Sequence, residues 1–235
     1  MADEETFFSR NGFLKMRRLF LLAFIIEMAI YFIVSSIPYS NPALVSSLKS
    51  TQDTVAGLSL VGMIFYIFPH NLLIATLEFI PVAGQALFVL STIQTPLALS
   101  ASAYSVGIPG ILAFISLLLI PDTLIEVSAY ALATATSIYM FQILVKSRTE
   151  FGAKVWKFIY MYLLTVLVLF IAGTFESVAI KFSLTENYPN NAIYPLMLWI
   201  PAIPVIYLLI RLFRHINRDE YQKAPEPLPD IMDFQ

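Results

Sequence analysis

The sequence has no cysteine, and only 13% of its 235 residues are charged. The absence of cysteine excludes disulfide bonds, thiolate nucleophiles, iron–sulfur clusters and cysteine-ligated zinc. A soluble domain has about 25% charged residues, whereas here 58% of the residues are hydrophobic, so an ordinary soluble globule is excluded too. A net charge of −2 gives no basis for nucleic-acid binding. What remains is an all-α, polytopic helical membrane protein, surrounded by the lipid bilayer.

Catalytic motifs are missing as well. The sequence contains no HExxH, no G-x-S-x-G, no Walker A lysine and no G-x-G-x-x-G, which are the common signatures of metalloproteases, hydrolases and nucleotide-binding proteins. We therefore expect no enzymatic activity, no catalytic residue, no cofactor and no bound metal.

The basic residues indicate the topology. Twelve of the fourteen Lys and Arg residues fall into three groups, near residues 10–18, 146–157 and 211–223. The positive-inside rule places all three groups in the cytoplasm, so an even number of crossings separates each pair. We therefore predict a multi-pass protein of the plasma membrane with both termini in the cytoplasm.

Six apolar segments are long enough to cross a membrane, which takes about 20 residues. A proline within the stretch 55–93 predicts a broken helix there, with a short re-entrant or interfacial helix over 55–68. Residues 38–54 are predicted as an external loop. The chain thus divides into a cytoplasmic segment 1–18, a transmembrane domain 19–213 and a disordered cytoplasmic tail 214–235. The six predicted spans are 19–37, 71–93, 98–120, 122–145, 158–180 and 193–210.

A stripe of polar residues marks the predicted helix 71–93. Asn71, Glu78, Gln85 and Thr92 are spaced by seven residues, which returns a helix to within about 20° of the same face. An ionisable residue within a span costs a few kcal/mol, so such residues are candidates for function. This face is expected to meet another helix or a water-filled pathway.

A second stripe lies in the predicted helix 122–145. Asp122, Glu126 and Tyr130 follow each other at four-residue spacing, and Thr134 and Ser137 extend the same face. The two carboxylates could bind a cation or share a proton. Alternatively, Asp122 caps the helix start and Glu126 makes a hydrogen bond to a neighbouring helix.

Three further ionisable residues occur near these stripes. Glu27, near the middle of the first span, is expected to pair inside the bundle, whereas Glu176 is expected to reach the membrane interface. His70 could join Glu78 or Glu126 in a metal or proton site, or could simply be hydrogen-bonded at a helix start. Small residues at 129, 133 and 137 predict either tight helix packing or an oligomeric contact.

Two segments carry a family resemblance. Residues 120–129, Ile-Pro-Asp-Thr-Leu-Ile-Glu-Val-Ser-Ala, resemble the Pro-His-Gly-x-x-Glu-x-x-Ala signature of the stage II sporulation protein M family. Pro69-His70-Asn71 resembles that family's Asn-containing helix start, and the likeness covers about residues 55–215. Asp122 and Thr123 stand where the family has His and Gly. The resemblance implies a multi-pass component of a larger membrane complex, which in spore formers acts with cell-wall hydrolases and has no obvious chemistry of its own.

Two functions follow from these features. The first is a non-enzymatic membrane subunit or scaffold that binds other membrane proteins or further copies of itself. The second is a channel or permease whose polar pathway is lined by the intramembrane carboxylates. A third and weaker hypothesis is a metal-dependent intramembrane enzyme built from His70, Glu78, Asp122 and Glu126.

Overall fold

The computed structural model describes residues 14–146 and 148–220. Within these ranges the chain forms nine α-helices and two short 3-10 turns, at Arg148–Glu150 and Arg218–Glu220, with no β-strand. In chain order the helices are α1 (Met16–Ser35), α2 (Pro42–Ala56), α3 (Leu60–Glu78), α4 (Ala83–Ser105), α5 (Gly110–Leu118), α6 (Pro121–Lys146), α7 (Phe151–Thr185), α8 (Asn190–Met197) and α9 (Trp199–Ile216).

Six of the described helical segments are long and apolar enough to cross a membrane. Their number agrees with the six predicted spans, and the structure is compatible with a multi-pass membrane protein. Helices α2, α5 and α8 have 15, 9 and 8 residues, fewer than the roughly 17 needed for a crossing. The segments long enough to cross are α1, α3, α4, α6, α7 with its preceding turn, and α8 together with α9.

Helix α6 forms the centre of the bundle. It packs mainly against α7 and α1. In its most apolar stretch 72% of the residues are buried, whereas only 6% are buried in the corresponding stretch of the segment formed by α8 and α9. The small side chains of Ala129, Ala133 and Ser137 are fully buried and allow neighbouring helices to approach closely. The small-residue pattern therefore serves packing within the chain.

Four helix ends meet at one end of the bundle, which we call the basic end. Glu220 accepts hydrogen bonds from the backbone N–H of Met16 (2.9 Å), at the start of α1, and from Lys157 (3.3 Å), near the start of α7. Lys154 donates to the hydroxyl of Tyr139 on α6 at 3.0 Å. The carboxylate of Glu220 supplies an acceptor to the otherwise unpaired first turn of α1. These contacts fix the relative position of α1, α6, α7 and the end of α9.

The predicted break at Pro69 does not occur, so the prediction of one crossing helix over 71–93 is wrong. Helix α3 continues through Pro69 to Glu78. The side chain of Pro69 is exposed on the bundle surface, and membrane helices tolerate proline because neighbouring groups and small local adjustments satisfy the freed backbone groups. Residues 55–68 do not form a separate short helix, because α2 ends at Ala56 and α3 begins at Leu60.

The chain turns instead between Glu78 and Ala83. Val82 has a φ of +70° and a ψ of −60°, the conformation of a γ-turn, which the N–H of Ala83 closes by donating to the carbonyl of Pro81 at 2.9 Å and which is rare and strained for a residue other than glycine. A Cβ at Gly84 would overlap the backbone carbonyl of Glu78, so only glycine lets α4 begin this close to the end of α3. The tight hairpin between α3 and α4 therefore depends on residues 82 and 84.

Two other predicted boundaries differ from the structure. The predicted span 98–120 comprises the end of α4, a turn at residues 106–109 and the short α5. The predicted external loop 38–54 contains most of α2, whose start is capped by Asn41 through a 3.1 Å bond from the N–H of Leu44, with Pro42 as the first helical residue.

At the carboxyl end, α9 extends to Ile216, and the turn Arg218–Glu220 docks at the basic end. Of the predicted tail, residues 214–216 thus belong to α9 and residues 218–220 form a 3-10 turn. Residues 221–235 and most of the predicted segment 1–18 lie outside the described residues.

Candidate functional site

The polar residues of α6 form a continuous line inside the bundle. Asp122, Tyr130, Thr134 and Ser137 are buried and Glu126 is half-buried. The hydroxyl of Tyr130 donates to Oε1 of Glu126 at 2.9 Å, one helical turn away. Fifteen residues of helix from 122 to 137 rise about 22 Å, most of the roughly 30 Å hydrocarbon core of a bilayer. The line therefore runs through much of the thickness of the bundle.

The hairpin between α3 and α4 brings further polar groups to this line. Glu78 is fully buried, and its Oε1 accepts a 2.7 Å hydrogen bond from Ser91 on α4. Gln85 donates to the hydroxyl of Ser137 at 2.8 Å, and that hydroxyl donates to the backbone carbonyl of Ile80 at 2.9 Å. These bonds hold the hairpin turn against α6.

The first predicted stripe does not belong to one helix. Asn71 and Glu78 lie on α3, whereas Gln85 and Thr92 lie on α4, because the chain turns between them. Asn71 is buried seven residues before Glu78 on the same face of α3. His70 points away from the interior and is exposed, so it does not join Glu78 or Glu126.

Glu27 connects the two groups of carboxylates. Its side chain is 1% exposed on α1, and it lies within electrostatic range of both Glu78 and Glu126. Tyr31, one turn further along α1, is also buried. Glu27 therefore lies inside the bundle, but its Oε2 has no partner among the described residues, so the expected pairing stays a prediction.

Glu176 on α7 is closer to this cluster than expected. It is half-buried and interacts electrostatically with Glu126 and Asp122 on α6. Ala172 and Gly173, one turn earlier on the same face, are buried. A small-residue face of this kind indicates close packing of α7, and it is the signal in the sequence that could have placed Glu176 inside.

Together these residues define what we call the carboxylate chain. Its members are carboxylates on α3, α1, α6 and α7, and five pairs of them lie within electrostatic range of each other. Within residues 14–146 and 148–220, no ion pair joins any of them to Lys or Arg; the ion pairs found there lie at the basic end. The carboxylate chain consists of Glu78, Glu27, Glu126, Asp122 and Glu176.

Several buried oxygen atoms of the carboxylate chain and of neighbouring threonines have no hydrogen-bond partner in the described part of the protein. These are Oε2 of Glu27, Oε2 of Glu78, Oδ1 of Asp122 and the hydroxyl oxygens of Thr92 and Thr134. An unsatisfied buried polar group costs about 1–3 kcal/mol, and the cost in a membrane interior is at least as high. Such atoms are suited to bind a proton, a water molecule or a cation.

The arrangement is extended rather than cage-like. No three His, Asp or Glu side chains among the described residues converge on a point that could hold a metal ion. The carboxylates follow one another from α3 across α1 to α6 and α7, with the hydroxyls of Ser91 and Tyr130 bonded to two of them. This geometry is suited to stepwise transfer between neighbouring groups.

Comparison of the chain with protein-family models, with curated proteins and with solved structures finds no significant match.

Proposed function

We propose that this protein is a membrane transport protein in which the carboxylate chain binds and passes protons. The observation that supports the proposal is a set of five carboxylates from four helices with no lysine or arginine paired to them in the described residues. Ionisable residues inside membrane segments commonly mark proton relays and ion pathways.

Electrostatics argues against five ionised carboxylates. Ionised carboxylates within electrostatic range of one another repel, and this repulsion is stronger inside a protein than in water. We therefore infer that some members of the carboxylate chain hold protons or a cation. Because no metal cage is formed by the described residues, we favour protons.

Two hydroxyl groups are hydrogen-bonded to members of the carboxylate chain. A protonated carboxyl and a hydroxyl are each both donor and acceptor, so a proton can be passed along the Glu78–Ser91 and Glu126–Tyr130 contacts. The positive-inside rule places the basic end in the cytoplasm. Proton movement would then run between the turn of α3 and α4, which packs against Ser137 of α6, and the Asp122–Glu176 end of the carboxylate chain.

The test is proton flux into liposomes that contain the purified full-length protein and an internal pH dye. A potassium gradient with valinomycin supplies the driving potential. We expect Glu27→Gln and Glu126→Gln each to reduce the flux at least tenfold, because each removes a titrating member while keeping its size. Asp53→Asn is the matched control, since Asp53 is exposed on α2 and the flux should not change. Unchanged flux in both Gln variants would contradict the proposal.

A membrane scaffold is the second candidate, and a surface feature favours it. Trp156 and Tyr160 on α7 are 66% and 52% exposed, and their rings lie 6.3 Å apart near the basic end. Exposed aromatic residues are enriched at protein interfaces, and the variants below separate that role from anchoring at the membrane surface, where Trp and Tyr are also frequent. The resemblance to the stage II sporulation protein M family also points to a subunit of a larger assembly.

The scaffold proposal is tested by the mass of the solubilised particle, measured by light scattering with detergent subtracted. A scaffold that binds copies of itself should have a mass of two chains or more, and Trp156→Ala with Tyr160→Ala should return it to one chain. The control is a second pair of alanine substitutions, Ile25→Ala with Ile33→Ala, which removes two large exposed side chains from α1. A particle of one chain in the parent protein would count against self-assembly.

A further inference from the structure

Two polar side chains lie on the outside of the bundle, at the middle of helices that are long and apolar enough to cross a membrane. His70 lies ten residues after the start of α3 and eight before its end, and Gln94 lies eleven residues from either end of α4. Both are exposed, and neither side chain makes a hydrogen bond or an ion pair within the described residues. A histidine inside a membrane span almost always faces the bundle interior or a water-filled cavity, and histidine and glutamine in spans form hydrogen bonds between helices. The two positions therefore indicate a surface that another helix covers.

The two side chains lie on the same side of the α3–α4 hairpin. Phe68 packs against α7, and His70 lies two residues, or about 200°, further around α3, so it is on the side of α3 that faces away from α7. Gln94 lies three residues, nearly one full turn, after Ser91, and Ser91 faces α3 through its hydrogen bond to Glu78. His70 and Gln94 therefore both lie along the outer surface where α3 and α4 meet.

Their depth in the bundle suits a contact between two copies of the chain. Counted from the turn, His70 lies eight residues before Glu78 and Gln94 eleven residues after Ala83, so the two are about 12 Å and about 16 Å deep. A two-fold axis along the membrane normal keeps every residue at its own depth, so a symmetric contact joins residues of similar depth. A neutral imidazole and a carboxamide each have a donor and an acceptor, so His70 and Gln94 are complementary across such an axis.

The backbone of α3 adds an acceptor without its usual helical donor. Pro69 is exposed within the helix and has no N–H, so the carbonyl of Phe65 lacks the donor that residue 69 would otherwise supply. In membrane helices, neighbouring helices are among the groups that satisfy a carbonyl freed in this way. Tyr66, one turn before His70, is also exposed and adds a hydroxyl to the same face. We call the patch formed by Tyr66, His70 and Gln94 the hairpin surface.

We propose that a second copy of this chain packs on the hairpin surface, with His70 of each copy hydrogen-bonded to the partner's Gln94. The two hydrogen bonds, one on each side of the axis, satisfy groups that would otherwise lie in lipid. No residue of the hairpin surface belongs to the carboxylate chain, so the inference stands independently of the proposed proton transport. It also differs from self-assembly through Trp156 and Tyr160, which lie near the basic end on α7.

The test is disulfide crosslinking between copies of the full-length protein in liposomes, which is specific because the chain has no cysteine of its own. One copy carries Leu73→Cys and a purification tag, and the other carries Leu90→Cys and a different tag. Both leucines are exposed, each about one helical turn from a polar residue of the hairpin surface. After mild oxidation we expect at least fivefold more mixed dimer than from the control pair Ile25→Cys and Ile203→Cys, which are exposed on α1 and α9.

Apolar substitutions test the hydrogen bonds themselves. With the two cysteines in place, His70→Leu or Gln94→Leu in both copies should reduce the mixed dimer at least fivefold, although each change makes the surface more apolar. His70→Asn should keep at least half of the mixed dimer, because its amide retains a donor and an acceptor. His215→Leu is the matched control, since His215 is exposed on α9, and it should leave the mixed dimer unchanged.

Three results would overturn the proposal. The first is equal crosslinking of the two cysteine pairs, and the second is no effect of either His70→Leu or Gln94→Leu. The third is loss of the mixed dimer when Trp156→Ala and Tyr160→Ala are introduced, because this loss would assign the contact between copies to α7.

Discussion

Replacement of Gly84 by alanine should damage the α3–α4 hairpin more than its size suggests. The added Cβ would overlap the carbonyl oxygen of Glu78 and lie 2.6 Å from its carbonyl carbon, whereas favourable contacts between carbon atoms are about 3.5–4.0 Å. The blocking atoms belong to backbone, so relief requires a shift of about 1 Å between the two helices. Overpacking of this kind costs typically 1–3 kcal/mol.

The same shift removes a second interaction. Glu78 is bonded to Ser91 on α4 at 2.7 Å, and a net hydrogen bond is worth about 0.5–1.5 kcal/mol. We therefore expect Gly84→Ala to lower the free energy of unfolding by about 3 kcal/mol. The assay is reversible unfolding by sodium dodecyl sulfate in mixed micelles, followed by circular dichroism.

Gly152→Ala is the control, and the opposite sign is expected. Gly152 is exposed in the first turn of α7, with no heavy atom within 4 Å of an added Cβ. Alanine there should raise the stability by up to about 1 kcal/mol, through reduced freedom of the unfolded chain. A Gly84→Ala protein as stable as the parent would refute the close approach of α4 to Glu78. Equal loss of stability in both variants would refute a cause specific to the hairpin.

Two further changes test the packing of α6 and the basic end. Ala133→Leu should cost about 1–3 kcal/mol, because Ala133 is fully buried at the centre of the bundle, and the same unfolding titration measures it. Glu220→Ala should cost about 1–2 kcal/mol, because it leaves the N–H of Met16 and the ammonium of Lys157 without this acceptor; hydrogen exchange at the start of α1 should rise with it. Unchanged exchange there would show that Glu220 does not cap α1.

The number of long apolar helices and the inward face of α6 could be predicted from the sequence. The number of helices follows from the runs of apolar residues, because a membrane span needs about 20 of them. The inward face of α6 follows from the four-residue spacing, which puts Asp122, Glu126 and Tyr130 on one side of a helix. Both features depend on local sequence alone.

The position of the hairpin could not be predicted in the same way. Pro69 and Pro81 are both prolines within apolar sequence, but only the second lies at a turn. What decides between them is the close approach of Gly84 to the carbonyl of Glu78, a contact that exists only after the helices pack. The sequence-based prediction therefore placed Gln85 on the same helix as Glu78. In the structure the two residues lie on different helices, although both side chains still lie beside α6.

Residues that join the site through packing were also missed. Tyr31 lies one turn after Glu27 on the same face of α1, and Glu176 reaches α6 from a separate helix. A single helix pattern shows which side is polar but not which other helix it meets. The grouping of Glu27 and Glu176 with the carboxylates of α6 therefore becomes visible only in the folded bundle.

The proposed function requires the carboxylate chain to exchange protons with its surroundings. The most direct measurement is infrared difference spectroscopy of the protein reconstituted in membranes, comparing an acidic with an alkaline bath. We expect a carbonyl band from protonated carboxyl groups that changes between the two baths and that loses one component in Glu27→Gln. A carboxyl band that is the same in both baths would contradict proton transport, because protons that do not exchange serve only to hold the helices together.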